Sequence, residues 1–333
     1  MAKTSIEWTD FSINPIRARW KIGMDPNYLS SRLPYHSGHY CEKISPGCKN
    51  CYASRLQPRF GLPTFSEAIA QRDDIEVYLD ESKLQQVLRR KKPTKYFWCD
   101  MSDMFGSWVP DEWTNKCFAT MALTPQHTHQ VLTKRAERMQ AYFAPGRYRD
   151  CQVADQAKII HTSVSPFKLP SEAVFDARRV ARGEPWLIDT WPLSNVWLGV
   201  SAENQDTFDE RVPLLMDTPA AVRFISYEPA LGPVDFSLWR PVETIGGVEF
   251  ERWIDWIIAG GESGPGARPS IPEWFRSLRD QCQAAGVPYF FKQWGEWAPA
   301  PNRTGLCMER IGKKAAGRLL DGRTWDQFPE VRR

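Results

Sequence analysis

Cys41, Cys48 and Cys51 place three of the chain's eight thiols within eleven residues, at the spacing C-x6-C-x2-C. Three thiolates on one loop can hold a soft metal centre. Pro46 and Gly47 bend the loop so that Cys48 and Cys51 can face the same point as Cys41. Two centres fit. A structural zinc would take the three cysteines and either His36 or His39. A [4Fe–4S] cluster would keep one iron open, since clusters are usually held by four thiolates. S-adenosylmethionine can fill such a position through its amino and carboxylate groups, and it belongs to the cofactors of radical chemistry. The plain alternative is three unrelated buried thiols. Cys99, Cys117, Cys151, Cys282 and Cys307 lie far from the motif and are expected to be small apolar residues or ordinary thiols.

The rest of the composition narrows the class. A chain of 333 residues can bury a large core in one or two domains. Its net charge of +3 is too mild to imply nucleic acid by itself. The amino-terminal MAKTSIEWTDF has no apolar stretch of a secretory leader, and no run approaches the length of a membrane span. Cysteine usage does not resemble a disulfide framework, so a cytoplasmic protein with reduced thiols, away from membranes, is expected. Fifteen tryptophans could serve a stacking surface or simply fill a core.

The elements that must position the cysteines follow a repeated grammar. Residues 5–16 read as a strand ending at Asn14-Pro15. Residues 17–40 read as irregular, 52–60 as the start of a helix, and 66–91 as helical, with Leu84, Val87 and Leu88 at helical spacing and Pro93 as the stop. From Lys95 onward, short apolar runs end in polar or glycine-containing turns, and most lead into a helical stretch. KYFWCDMSD, HQVLTKR, NVWLGVSAE, AVRFISYEP, WIDWIIAGGES and VPYFFKQWGEW are the strand runs. This alternation predicts α/β architecture with parallel strands, as a partial or complete (β/α) barrel, with an open doubly wound sheet as the alternative. The expected organisation is a barrel domain over 1–297 and a carboxyl-terminal extension over 298–333. Residues 144–193 interrupt the barrel as a basic insertion that could meet phosphates and a stacked base. In the tail, LLDGRTW carries an Asp-Gly hairpin turn.

Ligands of parallel β/α folds sit outside the carboxyl ends of the strands. The residues expected there are Asp100, Ser102, Asp103, Thr133, Lys134, Arg135, Ser201, Glu203, Tyr227, Glu228, Gly260, Gly261, Glu262, Lys292, Gln293 and Glu296. GGESGPG (260–266) would let backbone N–H groups approach an anion or a purine. It matches neither G-x-G-x-x-G nor the P-loop, and H-E-x-x-H and G-x-S-x-G are absent from the sequence.

Taken together, IEWTD (6–10), INP (13–15), SPGCKNCYA (45–53), MSDMFG (101–106), LTKRAERM (132–139), VWLGVSAENQ (196–205), ISYEPALGPVD (225–235), IIAGGESGPGARP (257–269) and FFKQWGEW (290–297) resemble the phage and prophage three-Cys-motif proteins. That family is in turn similar to radical S-adenosylmethionine enzymes, especially the spore photoproduct lyase-like branch. The resemblance implies a partial (β/α)6 barrel whose cysteine loop follows the first strand and carries a [4Fe–4S] cluster. It also implies S-adenosylmethionine as cofactor. By position, Ser102 and Asp103 would receive its amino group, Ser201 and Glu203 its ribose and carboxylate, and Gly260 and Gly261 its adenine, with Glu228 and Glu262 in the same pocket. The chain departs from the usual C-x3-C-x2-C: the first spacer is six residues, Asn50 precedes Cys51, and the aromatic Tyr52 follows it.

The expected activity is therefore generation of a 5′-deoxyadenosyl radical that acts on a nucleic acid (DNA or RNA) or a nucleotide, with an electron donor as partner. Two rivals stand beside it. One is a zinc-stabilised nucleic-acid-binding protein without catalysis. The other is an iron–sulfur scaffold working with a three-Cys-motif partner protein.

Overall fold

The computed structural model describes residues 2–4, 6–21, 37–144, 192–236, 242–245, 248–251, 254–300 and 307–330, together with Val153, Gln156 and Ala157. His36, Cys151 and nearly all of the 144–193 insertion lie outside the described residues. Two compact units divide the chain: Met1–Ile44 with Cys51–Val196, and Ser45–Asn50 with Trp197–Arg333.

In the first unit, β1 (Ala2–Lys3) pairs antiparallel with β2 (Phe11–Ile13). The strand expected over 5–16 is thus shortened to the three residues Phe11–Ile13 and stops just before Asn14-Pro15 as anticipated. Beyond Pro15 the chain extends again as β3 (Ile16–Trp20), which pairs antiparallel with β4 (Ile75–Leu79). Neither strand was expected. The stretch 66–91 contains α2 (Phe65–Ala70), then β4, then α3 (Glu81–Arg89), whereas α1 (Tyr52–Leu56) starts directly after Cys51 as expected. Helix α3 buries Leu84, Val87 and Leu88, the i, i+3, i+4 stripe of a one-sided helix, and Asp80 caps it by accepting from the Ser82 N–H. β5 (Lys95–Trp98) runs parallel to β2 and to β6 (Thr128–Thr133). Helices α4 (Asp111–Ala122) and α5 (Ala136–Phe143) follow these two strands, as the sequence grammar requires.

The second unit repeats the scheme. β7 (Val196–Ser201) leads to α6 (Gln205–Met216), whose amino terminus is closed by an Asn204–Thr207 capping box, and then to β8 (Val222–Tyr227). A hairpin of β9 (Val242–Ile245) and β10 (Val248–Glu251) precedes β11 (Trp256–Gly260). Helix α7 (Pro272–Ala285) has proline in its first turn and ends at Gly286 in the left-handed conformation, and β12 (Tyr289–Gln293) follows. β7, β8, β11 and β12 pair in that order, all parallel. Every residue of β7 and β11 is buried, as expected of strands covered on both faces.

The tail packs within this unit. β13 (Trp297–Pro299) pairs with β14 (Met308–Arg310), and α8 (Lys313–Ala316) follows. The Asp-Gly turn is present: Asp321 and Gly322 both have positive φ, and Leu320 bridges Arg323 across them. The chain is thus mixed α/β, with three parallel strands in one unit and four in the other, the material of a partial β/α barrel.

Candidate functional site

The Pro-Gly bend of the cysteine loop is a short 3-10 turn, Pro46–Cys48. The Cys48 N–H donates to the Ser45 carbonyl at 2.9 Å, and the Lys49 N–H to the Pro46 carbonyl at 3.2 Å. Cys48 is buried, while Cys41 and Cys51 are half-buried. Cys99, Cys117 and Cys282 are buried, and burial pushes their thiols above the usual range, which makes them inert. Cys307 is exposed. In kind, three thiols within eleven residues of chain suit a soft metal centre. Among the described residues, no three Cys, His, Asp or Glu side chains stand together as a ready-made metal-holding group, so a centre on these cysteines requires their sulfurs to converge.

His39 is not available as a fourth ligand in the arrangement seen. Its Nε2 lies 2.8 Å from the Arg17 Nη1, which can only donate. The lone pair of Nε2 is therefore taken and Nδ1 carries the proton. Burial, and then the Arg17 charge, lower its pKa to about 3.

Polar residues at the strand ends hold the loop. In the first unit, the Ser102 hydroxyl donates to the Tyr40 carbonyl at 2.7 Å, at the foot of the loop. Asp103 accepts from the Phe105 N–H at 2.9 Å, from the Thr133 hydroxyl at 2.8 Å and from Arg135 Nη1 at 3.1 Å. Arg135 in turn donates to the Glu42 carbonyl at 3.2 Å and lies 4.6 Å over the Trp108 ring. Burial alone would lower the Arg135 guanidinium, but Asp103 and the Cys41 sulfur keep it above its ordinary value. On the other side of Cys51, the Tyr52 hydroxyl donates to Asp100 at its carbonyl (2.8 Å) and at Oδ2 (3.0 Å). Burial raises the Asp100 carboxyl, against the bonds it accepts from Asn14 and Tyr52.

In the second unit, Glu203 is fully buried beside Arg211, with Nη1 at 3.3 Å, and accepts from the Ser45 hydroxyl at 2.7 Å. Gly47 packs on the same carboxylate, since a Cβ there would come within 2.4 Å of Glu203 Oε1. Glu262 accepts from Asn50 Nδ2 at 3.0 Å and from Arg268 at 2.6 Å and 2.9 Å. Arg268 also donates to the Pro46 carbonyl at 3.0 Å, and Asn50 to the Gly266 carbonyl at 2.7 Å. Burial would raise the Glu262 carboxyl, but Arg268 and Asn50 hold it below its ordinary value.

Four of the residues assigned to a cofactor, Ser102, Asp103, Glu203 and Glu262, thus spend hydrogen bonds on the cysteine loop or on the residue that holds it. Ser201 and Glu228 do something else: the Ser201 hydroxyl donates to the Glu228 carbonyl at 3.2 Å, and Glu228 pairs with Lys292 at 3.0 Å. Gly260 lies against Glu228, and a Cβ on Gly261 would come within 1.9 Å of the Trp294 carbonyl oxygen. Close protein packing therefore accounts for both glycines. Sequence reasoning missed Arg211, Arg268, Asn50 and Tyr52 as anchors. Asn50 and Tyr52 flank Cys51, and that adjacency was the available clue.

No curated protein and no solved structure matches the chain. Residues 33–329 match the model of the family described as "Protein of unknown function (DUF5131)", and the chain belongs to that family.

Proposed function

We propose that the chain is a radical S-adenosylmethionine enzyme in which Cys41, Cys48 and Cys51 ligate a [4Fe–4S] cluster, and that its substrate is a nucleic acid or a nucleotide. The observation that carries this reading is that polar strand-end side chains hold the residues next to the thiols: Ser102 bonds the Tyr40 carbonyl beside Cys41, and Glu203 and Glu262 bond Ser45 and Asn50 on either side of Cys48. Strand carboxyl ends are where β/α folds carry out their chemistry. Buried carboxylates that hold the loop would steady its ligands, once the sulfurs converge, in the way that outer-shell partners orient ligands. When bound, the cluster supplies one electron and the sulfonium cofactor supplies the hydrogen-abstracting chemistry. The chain's own residues have the roles of holding and shielding: Glu203 and Glu262 fix the turn that carries Cys48, and Arg135 places a positive charge beside Cys41.

Anaerobic reconstitution with iron and sulfide tests the reading. The expected product is a brown protein absorbing at about 400 nm from thiolate-bound iron, which yields 5′-deoxyadenosine with dithionite and S-adenosylmethionine. Alanine at Cys41, Cys48 or Cys51 should remove the absorption, whereas alanine at Cys117 should keep it. Stoichiometric zinc with no acid-labile sulfide in the anaerobically purified protein would refute the cluster.

A further inference from the structure

The carboxyl-terminal tail leaves three cations without counter-charges beside the strand ends of the second unit. Its acids go elsewhere: Asp326 pairs with Arg318, and Asp321 with Arg276 and Arg279. Arg310, Lys313 and Lys314 are exposed, and none has an ion pair among the described residues. Arg310 makes one long contact, from Nη2 to the Gly264 carbonyl at 3.5 Å. Glu309 is its neighbour in the chain, but side chains alternate across a strand, so Glu309 leaves β14 by the opposite face. Backbone bonds fix where the cations stand. The Ile311 and Gly312 N–H groups both donate to the Glu296 carbonyl, at 3.1 Å and 3.0 Å, and the Glu296 N–H donates to the Glu262 carbonyl at 3.0 Å. The start of α8 is therefore tied to the turns that follow β11 and β12, at the carboxyl ends of parallel strands, where β/α folds take their ligands. Glu262 of the first turn is the residue that holds Asn50 of the cysteine loop.

The two acids of these turns have partners of their own: Glu262 takes the Arg268 guanidinium, and Glu296 Oε1 accepts from the Gly264 N–H at 2.8 Å. An aromatic ring stands beside the cations. The register of the β13–β14 hairpin sets Trp297 directly opposite Arg310, so the two side chains share one face. Trp297 Nε1 donates to the Ala267 carbonyl at 2.7 Å, and Arg310 reaches Gly264, which turns this face toward the glycine-rich turn. Trp297 is half-buried, so part of its indole is open to solvent. Exposed cations gain little from one partner charge in water. A polymer brings a run of phosphates and releases counterions at each contact. Cations without counter-charges beside a partly open indole therefore suit a strand of nucleic acid, with phosphates on the cations and a base on the ring.

We propose that Arg310, Lys313, Lys314 and Trp297 form a docking rim for single-stranded nucleic acid, DNA or RNA. That the strand is the substrate rests on the reading given above; the binding itself does not require the cluster. The test therefore uses the metal-free full chain, with binding followed by fluorescence anisotropy at low salt. The probes are a labelled mixed-sequence oligonucleotide, as DNA and as RNA, and a duplex of equal length. The single strand should bind, and its affinity should fall steeply as salt is raised. Lys313→Glu combined with Lys314→Glu should weaken binding by about ten-fold or more and flatten the salt dependence, because fewer counterions are released. Lys313→Arg combined with Lys314→Arg should keep both. Lys91 and Lys92 serve as the control: they are exposed as well, but stand just before β5, at the amino end of a strand. Reversing them to glutamate changes the net charge equally and should leave affinity and salt slope as they were. The duplex, whose bases are already stacked on one another, should bind more weakly than the single strand. Equal losses from the two reversed pairs would overturn the site, since overall charge alone would then explain binding. Duplex binding as tight as that of the single strand would overturn the part given to Trp297. No binding by the wild-type chain at low salt would overturn the proposal outright. Iron, sulfide and 5′-deoxyadenosine play no part in these measurements, so each failure leaves the cluster chemistry standing. A zinc-loaded protein that still binds the strand through Lys313 and Lys314 would sink the radical-enzyme reading alone.

Discussion

Glu203 and Arg211 meet in the dry interior of the second unit, 0 % and 2 % exposed at the side chain. Two buried charges cost more to desolvate than their attraction returns unless further hydrogen bonds satisfy them. Here the Ser45 hydroxyl donates to Glu203 and the Ser201 carbonyl accepts from Arg211 at 2.7 Å, while the buried Arg211 Nε has no hydrogen-bond partner among the described residues. Removing one partner leaves the other charge stranded. Glu203→Ala is expected to lower unfolding stability by about 3–5 kcal/mol in urea titrations, the range for a broken buried pair. Glu203→Gln keeps an acceptor for Ser45 and should cost less. If both variants unfold at the wild-type urea midpoint, the brace has no energetic weight.

The turns after β11 and β12 lock together at the scale of the element. Gly261 lies against the Trp294 carbonyl, and Gly295, with φ of 85°, lies against the Glu262 carbonyl, where a Cβ would come within 2.1 Å. Backbone on both sides leaves no flexible atom to move. Gly286, which ends α7 at φ of 68°, has open space around its Cβ direction. Gly286→Ala should therefore cost only the left-handed conformation, about 1 kcal/mol. Gly261→Ala must displace backbone and should cost at least as much as an overpacked core, about 1–3 kcal/mol or more. It should also loosen Glu262 and, through it, Asn50. Thermal melts of the two variants in parallel check the order; a larger loss at Gly286 would contradict it.

Acid sensitivity belongs to the whole molecule. His129 is fully buried; its Nδ1 accepts from Trp98 Nε1 at 3.0 Å, and its Nε2 lies 3.0 Å from the Thr124 hydroxyl. Burial, then the neighbouring His127, lower its pKa from 6.5 to about 3. The unfolded chain takes up this proton below pH 6.5, but the folded chain resists it down to about pH 3. Stability from this group is therefore complete above pH 6.5 and falls as the pH drops, by about 1.4 kcal/mol per unit. Urea midpoints measured from neutral to mildly acidic pH should show at least this slope, since buried His39 acts in the same direction, and His129→Gln should lessen it. No helix among the described residues is long and apolar enough to cross a membrane.

Local pattern decided much of this molecule. Apolar runs ending in polar turns fixed the parallel strands, the 3.6-residue stripe fixed α3, and Pro46-Gly47 and Asp321-Gly322 fixed their turns, because each depends on near neighbours in the chain. The clustering of Cys41, Cys48 and Cys51 was equally plain. Tertiary structure alone decided the rest. β4 is mostly half-buried and carries no clear alternation, so its identity comes from pairing with β3 across more than fifty residues of chain. A carboxylate at a strand end looks the same in sequence whether it faces a ligand, a loop or a lysine. Glu203 went to Ser45 and Arg211, Glu262 to Asn50 and Arg268, and Glu228 to Lys292, because ion pairs and hydrogen bonds act over a few ångströms of space, and only the fold brings these residues that close.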